Sequence, residues 1–301
     1  MKKMNCWVVA VMVVLAIAMA PGALNSQVIP PGVKQVGLID FSNHQTGSWY
    51  TLDMMTADWN PRLKNGDDVI DFKGIIHNRA FVMKNDVFRG NALRIFLPKG
   101  KILPKDGGAQ IFGYIGGHDE VHFGASICLP KDFECGKEIK MPPGIYGGWK
   151  FSTGGSAPNG VNIGPSIRMV LQECQAKSYV YHLNQNGNNG DGNPYGAGPG
   201  YGDKLAWKYK NGKPVIMTKG VKHEVMFRVV MNTPGLKNGI HQVWYDGELV
   251  LSLSNLEFRK VPTLKFDTVG VEIFRGGNDQ SYATSKDNTL DVSDFRVLIG
   301  N

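Results

Sequence analysis

Short runs of alternating apolar and polar residues follow one another along most of this chain, and this pattern limits its fold more than any other feature. A period of two residues is that of a β-strand with one buried face. The runs end at Gly, Pro, Asn or Asp, and no stretch has the period of a long helix. The strands that we predict span residues 92–97, 121–129, 166–172, 178–183, 223–231, 241–245, 248–253, 268–274 and 292–299.

The dipeptide Asp246-Gly247 shows how neighbouring strands are joined. An Asp-Gly pair between two strand-like runs is a strong signal for a tight β-hairpin. Many short strands without helical spacers form sandwiches or barrels, not parallel α/β sheets. We therefore predict an all-β fold with a single β-sandwich domain over residues 27–301, a length that such domains commonly reach.

The first 26 residues have the three parts of a secretory signal peptide. Lys2 and Lys3 form a basic start, residues 7–20 are apolar and uncharged, and small residues follow. A membrane anchor is the alternative, but the apolar run has 14 residues and a bilayer span needs about 20. We predict cleavage between residues 20 and 27 and a secreted, extracellular protein with no membrane association in its mature form.

The net charge and the cysteines restrict the partners and the chemistry. The formal charge of +7 falls to +5 when two lysines leave with the signal peptide, and a modest positive charge favours an anionic partner or serves solubility alone. Nucleic acid is not expected, because no Lys/Arg cluster with interleaved aromatic residues is present.

Of Cys128, Cys135 and Cys174, two are expected to form a disulfide bond, and all pairings stay open. No Cys/His cluster is present, so we predict neither a metal nor a cofactor.

Residues 184–203 form a long segment without an apolar period. Gly and Asn dominate it, so we predict a loop between two strands. The loop is either a tolerated surface insertion or a flap beside a groove, with Tyr195 and Tyr201 as sugar-stacking faces. Asp191 and Asn193 are oxygen ligands of the kind that calcium prefers, but no ligand cluster requires a metal here.

Two neighbouring predicted strands each carry a pair of polar or aromatic residues on one face. Ser166 and Arg168 are two residues apart on the first strand, and Tyr179 and Tyr181 are two apart on the second. The short connection 173–177 predicts an antiparallel pair, which places all four side chains on the same face. That face is either a solvated outer surface, as most sandwich sheets have, or the floor of a binding site.

Residues 137–148 have the sequence Lys-Glu-Ile-Lys-Met-Pro-Pro-Gly-Ile-Tyr-Gly-Gly. This run resembles the Gly-Gly-Lys-Leu-Pro-Gly-Leu-Tyr-Gly-Gly signature of polysaccharide lyase family 14, the alginate and glucuronate lyases of molluscs and algal viruses. The runs at 107–110 and 129–133, the Gly-rich segment 152–160 and the block 274–287 are also similar to this family, in the same order. The resemblance spans roughly residues 85–298, and the chain departs from the signature in having two prolines instead of one.

The resemblance implies a jelly-roll β-sandwich with a concave substrate-binding sheet. It also implies that the chain cleaves a 4-linked polyuronate, alginate or glucuronan, by β-elimination. Lys140 matches the lysine of the signature, which implies a catalytic role. The pairs Ser166–Arg168 and Tyr179–Tyr181 fall where the family has its active-site residues.

β-Elimination beside a uronate carboxylate needs three groups. One neutralises the carboxylate, a base removes the C5 proton, and an acid protonates the leaving O4. Lys140 and Arg168 are candidates for the cationic role, since positive groups aimed at developing charge usually contribute most and arginine can bind a carboxylate bidentately. Tyr179 and Tyr181 are candidates for base and acid, in either order, and nearby cations would favour the phenolate form of the base.

Four further residues are candidates for substrate binding. Ser166 can donate a hydrogen bond to the substrate. Gln110 and His118 are candidates for contact with the uronate carboxylate, with a structural role as the alternative. Lys150 competes with Lys140 for the position of the catalytic lysine, and the signature favours Lys140.

Three functions are compatible with these patterns. The first is a secreted polysaccharide lyase acting on an acidic polysaccharide. The second is a non-catalytic extracellular protein that binds an acidic glycan on the same fold, since jelly rolls also form lectins. The third is an extracellular structural protein that uses the 184–203 loop for adhesion. The enzyme is favoured because binding alone does not require all five residues of the resemblance, which are Lys140, Ser166, Arg168, Tyr179 and Tyr181. We also expect the protein to be a monomer.

Overall fold

The computed structural model describes residues 32–59, 74–75, 77–148, 150–187, 200–277 and 279–300. The predicted signal peptide lies outside these residues, as do Asp191, Asn193 and Tyr195 of the predicted loop. The single domain starting at residue 27 stays a prediction. Among the described residues, no helix has the length and apolar character needed to cross a membrane.

Within these residues the chain is almost entirely β-structure, as the alternating runs predict. The helices are α1 (Leu52–Trp59), α2 (Leu103–Asp106) and a 3-10 turn (Gln280–Tyr282). The strands, in chain order, are β1 Val33–Ile39, β2 Ser48–Trp49, β3 Ala80–Asn85, β4 Gly90–Leu97, β5 Gly108–His118, β6 Glu120–Cys128, β7 Ile139–Gly147, β8 Lys150–Phe151, β9 Ile163–Gly164, β10 Ser166–Gln172, β11 Gln175–Tyr181, β12 Asp203–Ala206, β13 Lys222–Val230, β14 Gly239–Tyr245, β15 Glu248–Leu256, β16 Phe266–Arg275 and β17 Asn288–Gly300.

These strands form two large antiparallel sheets. The first has nine strands in the order β15-β14-β13-β6-β17-β4-β3-β2, with β1 also paired to β17. The second has six strands in the order β12-β11-β10-β7-β16-β5. In the described part of the chain, β8 and β9 form a small parallel pair. The predicted all-β sandwich is confirmed.

One apolar core joins the two sheets. Phe123 and Phe227 of the nine-stranded sheet are fully buried in it, and so are Ile145, Met169 and Val271 of the six-stranded sheet. Alternate residues of a strand point to opposite faces, so the residues between these core positions lie on the other face of the six-stranded sheet. We call this other face the site face, because many of its side chains are polar or aromatic and nevertheless buried.

The sequence does not determine the disulfide pairing. In the structure the bond joins Cys135 to Cys174, whose Cα atoms are 5.2 Å apart. Cys128 is a buried free thiol. Cys135 precedes β7, and Cys174 lies in the turn between β10 and β11. The bond therefore ties together the strands that carry the sequence-predicted site residues.

Candidate active site

Strands β10 and β11 pair in antiparallel fashion and bring the four predicted side chains together. Ser166 lies opposite Tyr181, and Arg168 lies opposite Tyr179. All four residues are buried on the site face. The hydroxyl groups of Tyr179 and Tyr181 are 2.9 Å apart and share a hydrogen bond. The predicted antiparallel pairing of these two strands is confirmed.

Strand β7 adds Lys140 and Tyr146 to the same face. Its Pro-Pro pair forms a bulge of two extra residues opposite β10. A bulge of two residues preserves the alternation of side chains, so Lys140 before it and Tyr146 after it face the same way. A Cβ atom on Gly144 would lie 2.5 Å from the Tyr146 hydroxyl, so glycine at this motif position leaves the space in which the tyrosine lies.

Lys140 is buried beside a carboxylate that sequence analysis did not find. Its Nζ forms an ion pair with Oε1 of Glu138. The other oxygen, Oε2, lies 2.6 Å from Nζ of Lys204 and accepts a hydrogen bond of 2.9 Å from Nε2 of Gln172. Glu138 is therefore shared between two lysines, one on β7 and one on β12.

The protonation of Lys140 is set by opposing effects. Burial, and after it the charges of Arg168 and Lys204, lower the pKa of Lys140 to about 8 against the attraction of Glu138. Burial first, and then the neighbouring Tyr181, raise the pKa of Tyr179 well above its usual value. Near pH 8, Lys140 is therefore partly neutral while Tyr179 keeps its proton.

Arg168 is held by a second buried carboxylate, Glu272. Nη1 of Arg168 donates to Oε2 of Glu272 at 3.3 Å, and the Tyr146 hydroxyl donates to the same oxygen at 2.6 Å. Nε2 of Gln110 donates to Oε1 of Glu272 at 2.7 Å. Nε and Nη2 of Arg168 are buried and have no hydrogen-bond partner among the described residues. These two donors point the same way along one edge of the guanidinium, which is the arrangement that binds a carboxylate bidentately.

The structure places the four candidate binding residues in different environments. Ser166 is in the cluster, but its hydroxyl donates to the carbonyl oxygen of Ser152 at 2.7 Å and is not free to donate to a ligand. Gln110 is also in the cluster, through its bond to Glu272. His118 lies at the far end of β5, where Nε2 is 2.9 Å from the carbonyl oxygen of Ile115, and no interaction in the described part of the chain connects it to the cluster.

Lys150 is exposed on the short strand β8. Its neighbour Phe151 packs on the Tyr146 ring, with centroids 4.5 Å apart. Because adjacent residues of a strand point to opposite sides, Lys150 faces away from that ring. The structure thus brings Lys140 into the buried cluster and leaves Lys150 outside it.

The predicted loop is described only at its ends. Tyr201 is partly exposed and its ring lies close to Gly155, where a Cβ atom would be 3.1 Å from the ring. The amide of Gly155 donates a weak hydrogen bond of 3.4 Å to the Tyr181 hydroxyl. Tyr201 therefore lies at the edge of the site, whereas the role of the loop as a flap stays a prediction.

The comparison with protein families gives one match. The family model described as Polysaccharide lyase 14 matches residues 86–295. No curated protein matches the sequence.

Similar solved structures agree with the fold. Alginate lyase Aly36B is 20% identical, with a TM-score of 0.67, and the match covers 89% of this chain and 96% of that chain. The marine PL-14 alginate lyase from Aplysia kurodai is 18% identical, with a TM-score of 0.64 and coverage of 88% and 99%. Alginate lyase vAL-1 from Chlorella virus is 17% identical, with a TM-score of 0.64 and coverage of 89% and 100%. An Aly36B variant with a lysine and a tyrosine replaced by alanine was solved in complex with an alginate tetrasaccharide. At these identities the likeness shows the fold alone.

Proposed function

The chain belongs to polysaccharide lyase family 14, and we propose that it is a secreted enzyme that cleaves a 4-linked polyuronate, alginate or glucuronan, by β-elimination. The observation that carries the proposal is one buried cluster. In it, Arg168 has two donors without a hydrogen-bond partner among the described residues and lies against the rings of Tyr179 and Tyr181, and Lys140 lies against the same Tyr179 ring. A site of this kind contains a group for each of the three tasks of the reaction.

Arg168 is the group that neutralises the substrate carboxylate. Its Nε and Nη2 donors match the two oxygens of the uronate carboxylate, and Glu272 holds the guanidinium through Nη1. Removal of the C5 proton shifts negative charge onto that carboxylate. A fixed positive charge in a water-poor site stabilises this enolate-like state more than the ground state.

Lys140 is the group that we assign as the base. From the sequence, Lys140 is a candidate for the cationic role and the two tyrosines are candidates for base and acid, but the environment of each group in the structure supports another assignment. A lysine with its pKa lowered to about 8 is partly neutral at mildly alkaline pH, and its lone pair can accept the C5 proton. Tyr179, with its raised pKa, is poorly suited to act as a phenolate base.

The hydrogen-bonded pair Tyr179–Tyr181 is the acid. As the C5–H bond breaks, a C4–C5 double bond forms and the C4–O4 bond breaks. A tyrosine proton passes to O4, which leaves as the anomeric hydroxyl at the new reducing end of one fragment. The other fragment keeps the C4–C5 double bond at its new non-reducing end. The shared hydrogen bond of 2.9 Å stabilises the phenolate that is left, and exchange with solvent returns the proton.

Ultraviolet absorbance over time tests the reaction directly. The protein is mixed separately with alginate, polymannuronate, polyguluronate and glucuronan. β-Elimination leaves a conjugated double bond that absorbs, whereas hydrolysis and binding do not. A rise with one polymer supports the lyase and names its substrate class. A flat trace with every polymer, obtained with folded protein, contradicts the lyase and favours the glycan-binding alternative.

Secretion is tested separately by expressing the full sequence in a secreting host. The basic start and apolar run at residues 2–20 support it. We expect protein in the medium with a new N-terminus between residues 21 and 28. Retention of an intact N-terminus inside the cells would contradict secretion.

A further inference from the structure

Glu138 is a departure from the family signature with a structural consequence. The signature resembled by residues 137–148 has glycine two positions before its lysine, and this chain has Glu138 there. The side chain brings a carboxylate into the site face, where Glu138 is only 2% exposed. A carboxylate buried to this extent must be paired with a cation and hydrogen-bonded, since an unpaired buried charge is strongly destabilising.

Two lysines from different strands share this carboxylate. Lys140 takes Oε1, while Lys204 takes Oε2 at 2.6 Å with additional support from Gln172 at 2.9 Å. Lys204 is placed by β12, where it lies opposite Tyr179 of β11. Its Nζ lies 5.5 Å from the centre of the Tyr179 ring, whereas Nζ of Lys140 lies 4.3 Å from the same centre.

A lysine base creates a difficulty at such a carboxylate. Lys140 must lose its proton before it can take one from C5. If Lys140 were the only partner of Glu138, the loss would leave a buried anion unpaired, and Lys140 would therefore hold its proton. Because Lys204 and Gln172 remain on Oε2, Glu138 stays paired when Lys140 becomes neutral.

We propose that Lys204 and Glu138 are positioning residues for Lys140. Glu138 orients the Lys140 amine beneath the Tyr179 ring, and Lys204 keeps Glu138 paired so that the amine can become neutral. This inference rests on the proposed function, in which Lys140 is the base. The charged groups that act on Lys140 from the surrounding elements are Glu138, Arg168 and Lys204, and the titratable Tyr179 lies against its amine.

Two variants test the coupling because they act in opposite directions. In Lys204→Met, Lys140 is the one cation left on Glu138 among the described residues and a repelling charge is gone, so the acid limb of the kcat–pH profile moves to higher pH by roughly one unit. In Glu138→Gln the attracting charge is gone, so the limb moves to lower pH. A shift of one unit in the pKa of this limb corresponds to about a tenfold change in kcat at pH values below that pKa. Lys137→Met removes a nearby exposed charge that contacts Ser281 and Tyr282, and it leaves the limb in place.

Other outcomes overturn the inference. Limbs that do not move, or that move in the same direction in both variants, show that the lysines are not coupled through Glu138. A raised KM with an unmoved limb in Lys204→Met shows that Lys204 binds substrate instead.

A titration of protein labelled with 13C-lysine separates this inference from the proposed function. The Lys140 Cε resonance, assigned by its absence in Lys140→Arg, reports protonation whether or not any polymer is cleaved. We expect its midpoint to rise in Lys204→Met and to fall in Glu138→Gln. If the protein cleaves no polymer, the proposed function fails and these midpoints still decide the coupling. Unchanged midpoints overturn the coupling even if the protein is a lyase.

Discussion

The Nζ atom of Lys140 lies 4.3 Å from the centre of the Tyr179 ring. The same ring lies 5.1 Å from Cζ of Arg168, and its hydroxyl is 2.9 Å from that of Tyr181. The base, the acid and the carboxylate-binding group that we assign therefore meet around one tyrosine. Because these groups come from three adjacent strands, their spacing depends on the register of the sheet and not on a mobile loop.

Replacement of Lys140 by methionine removes the base and keeps most of the side-chain volume. We expect kcat to fall by at least about 10²- to 10⁴-fold, as for loss of a general base. Folding persists, because Glu138 retains Lys204. The measurement is the rate of absorbance increase on the preferred polymer. Lys150→Met is the matched control and should keep full activity, and the reverse result would make Lys150 the catalytic lysine.

Replacement of Tyr179 or Tyr181 by phenylalanine removes one hydroxyl from the shared hydrogen bond. The variant that loses the proton donor should lose roughly 10²- to 10⁴-fold in kcat with little change in KM. The other variant loses only the stabilisation of the phenolate and should be affected less. Steady-state kinetics of both variants assigns the acid, with Tyr209→Phe as a control outside the cluster. Full activity of both variants would rule out the tyrosine pair as the acid.

Strand prediction succeeded where alternation is uninterrupted and failed at the centre of the site sheet. The predicted run 166–172 coincides with β10, and the run 92–97 lies within β4. No strand was predicted for 139–147, although β7 lies in the middle of the six-stranded sheet between β10 and β16. Its prolines cannot donate hydrogen bonds to a sheet and normally argue against a central strand. The bulge that accommodates them becomes apparent only when β10 is placed beside it.

The residues of the candidate site were likewise predictable only where a local pattern in the sequence identifies them. A spacing of two residues on one strand is enough to place Ser166 with Arg168 and Tyr179 with Tyr181 on one face. Glu272 and Lys204 join them only through the pairing of strands far apart in the sequence, so no local pattern identifies them. A signal for Glu138 was present, since it stands two residues before the motif lysine in place of a glycine.

Replacement of Arg168 by lysine tests whether the guanidinium edge binds the substrate carboxylate. A lysine keeps the positive charge near Glu272 but cannot present two parallel donors. We expect kcat/KM to fall by roughly 10²- to 10³-fold, with kcat reduced and KM raised. Arg228→Lys, at a surface pair with Glu120, should be unaffected. If Arg168→Lys retains normal kinetics, charge alone is sufficient and the bidentate contact is not made.

Replacement of Cys135 and Cys174 together by serine tests the contribution of the disulfide bond. The bond closes a loop across a sequence separation of 39, which corresponds to about 4 kcal/mol from the lower entropy of the unfolded chain. We expect the free energy of unfolding in urea to fall by about that amount. Reductant should destabilise the native protein and leave the double variant unchanged. Equal sensitivity of both proteins to reductant would show that the bond does not form in solution.

The pH dependence of stability tests the burial of Glu138. Although burial alone would raise its pKa, Lys140 and then Lys204 outweigh this effect and lower the pKa to about 2 from the usual 4.5. The folded-state pKa is depressed, so the stabilisation is complete above about pH 4.5 and is lost as the pH falls toward 2. Between pH 6 and pH 3, Glu138 should account for about 2 kcal/mol of the decrease in the free energy of unfolding.

Glu138→Gln removes this part of the decrease, whereas Asp86→Asn, at an exposed turn, preserves it. Urea unfolding at the two pH values measures the difference, and an equal decrease in Glu138→Gln and the native protein would show that Glu138 is not held as a buried anion.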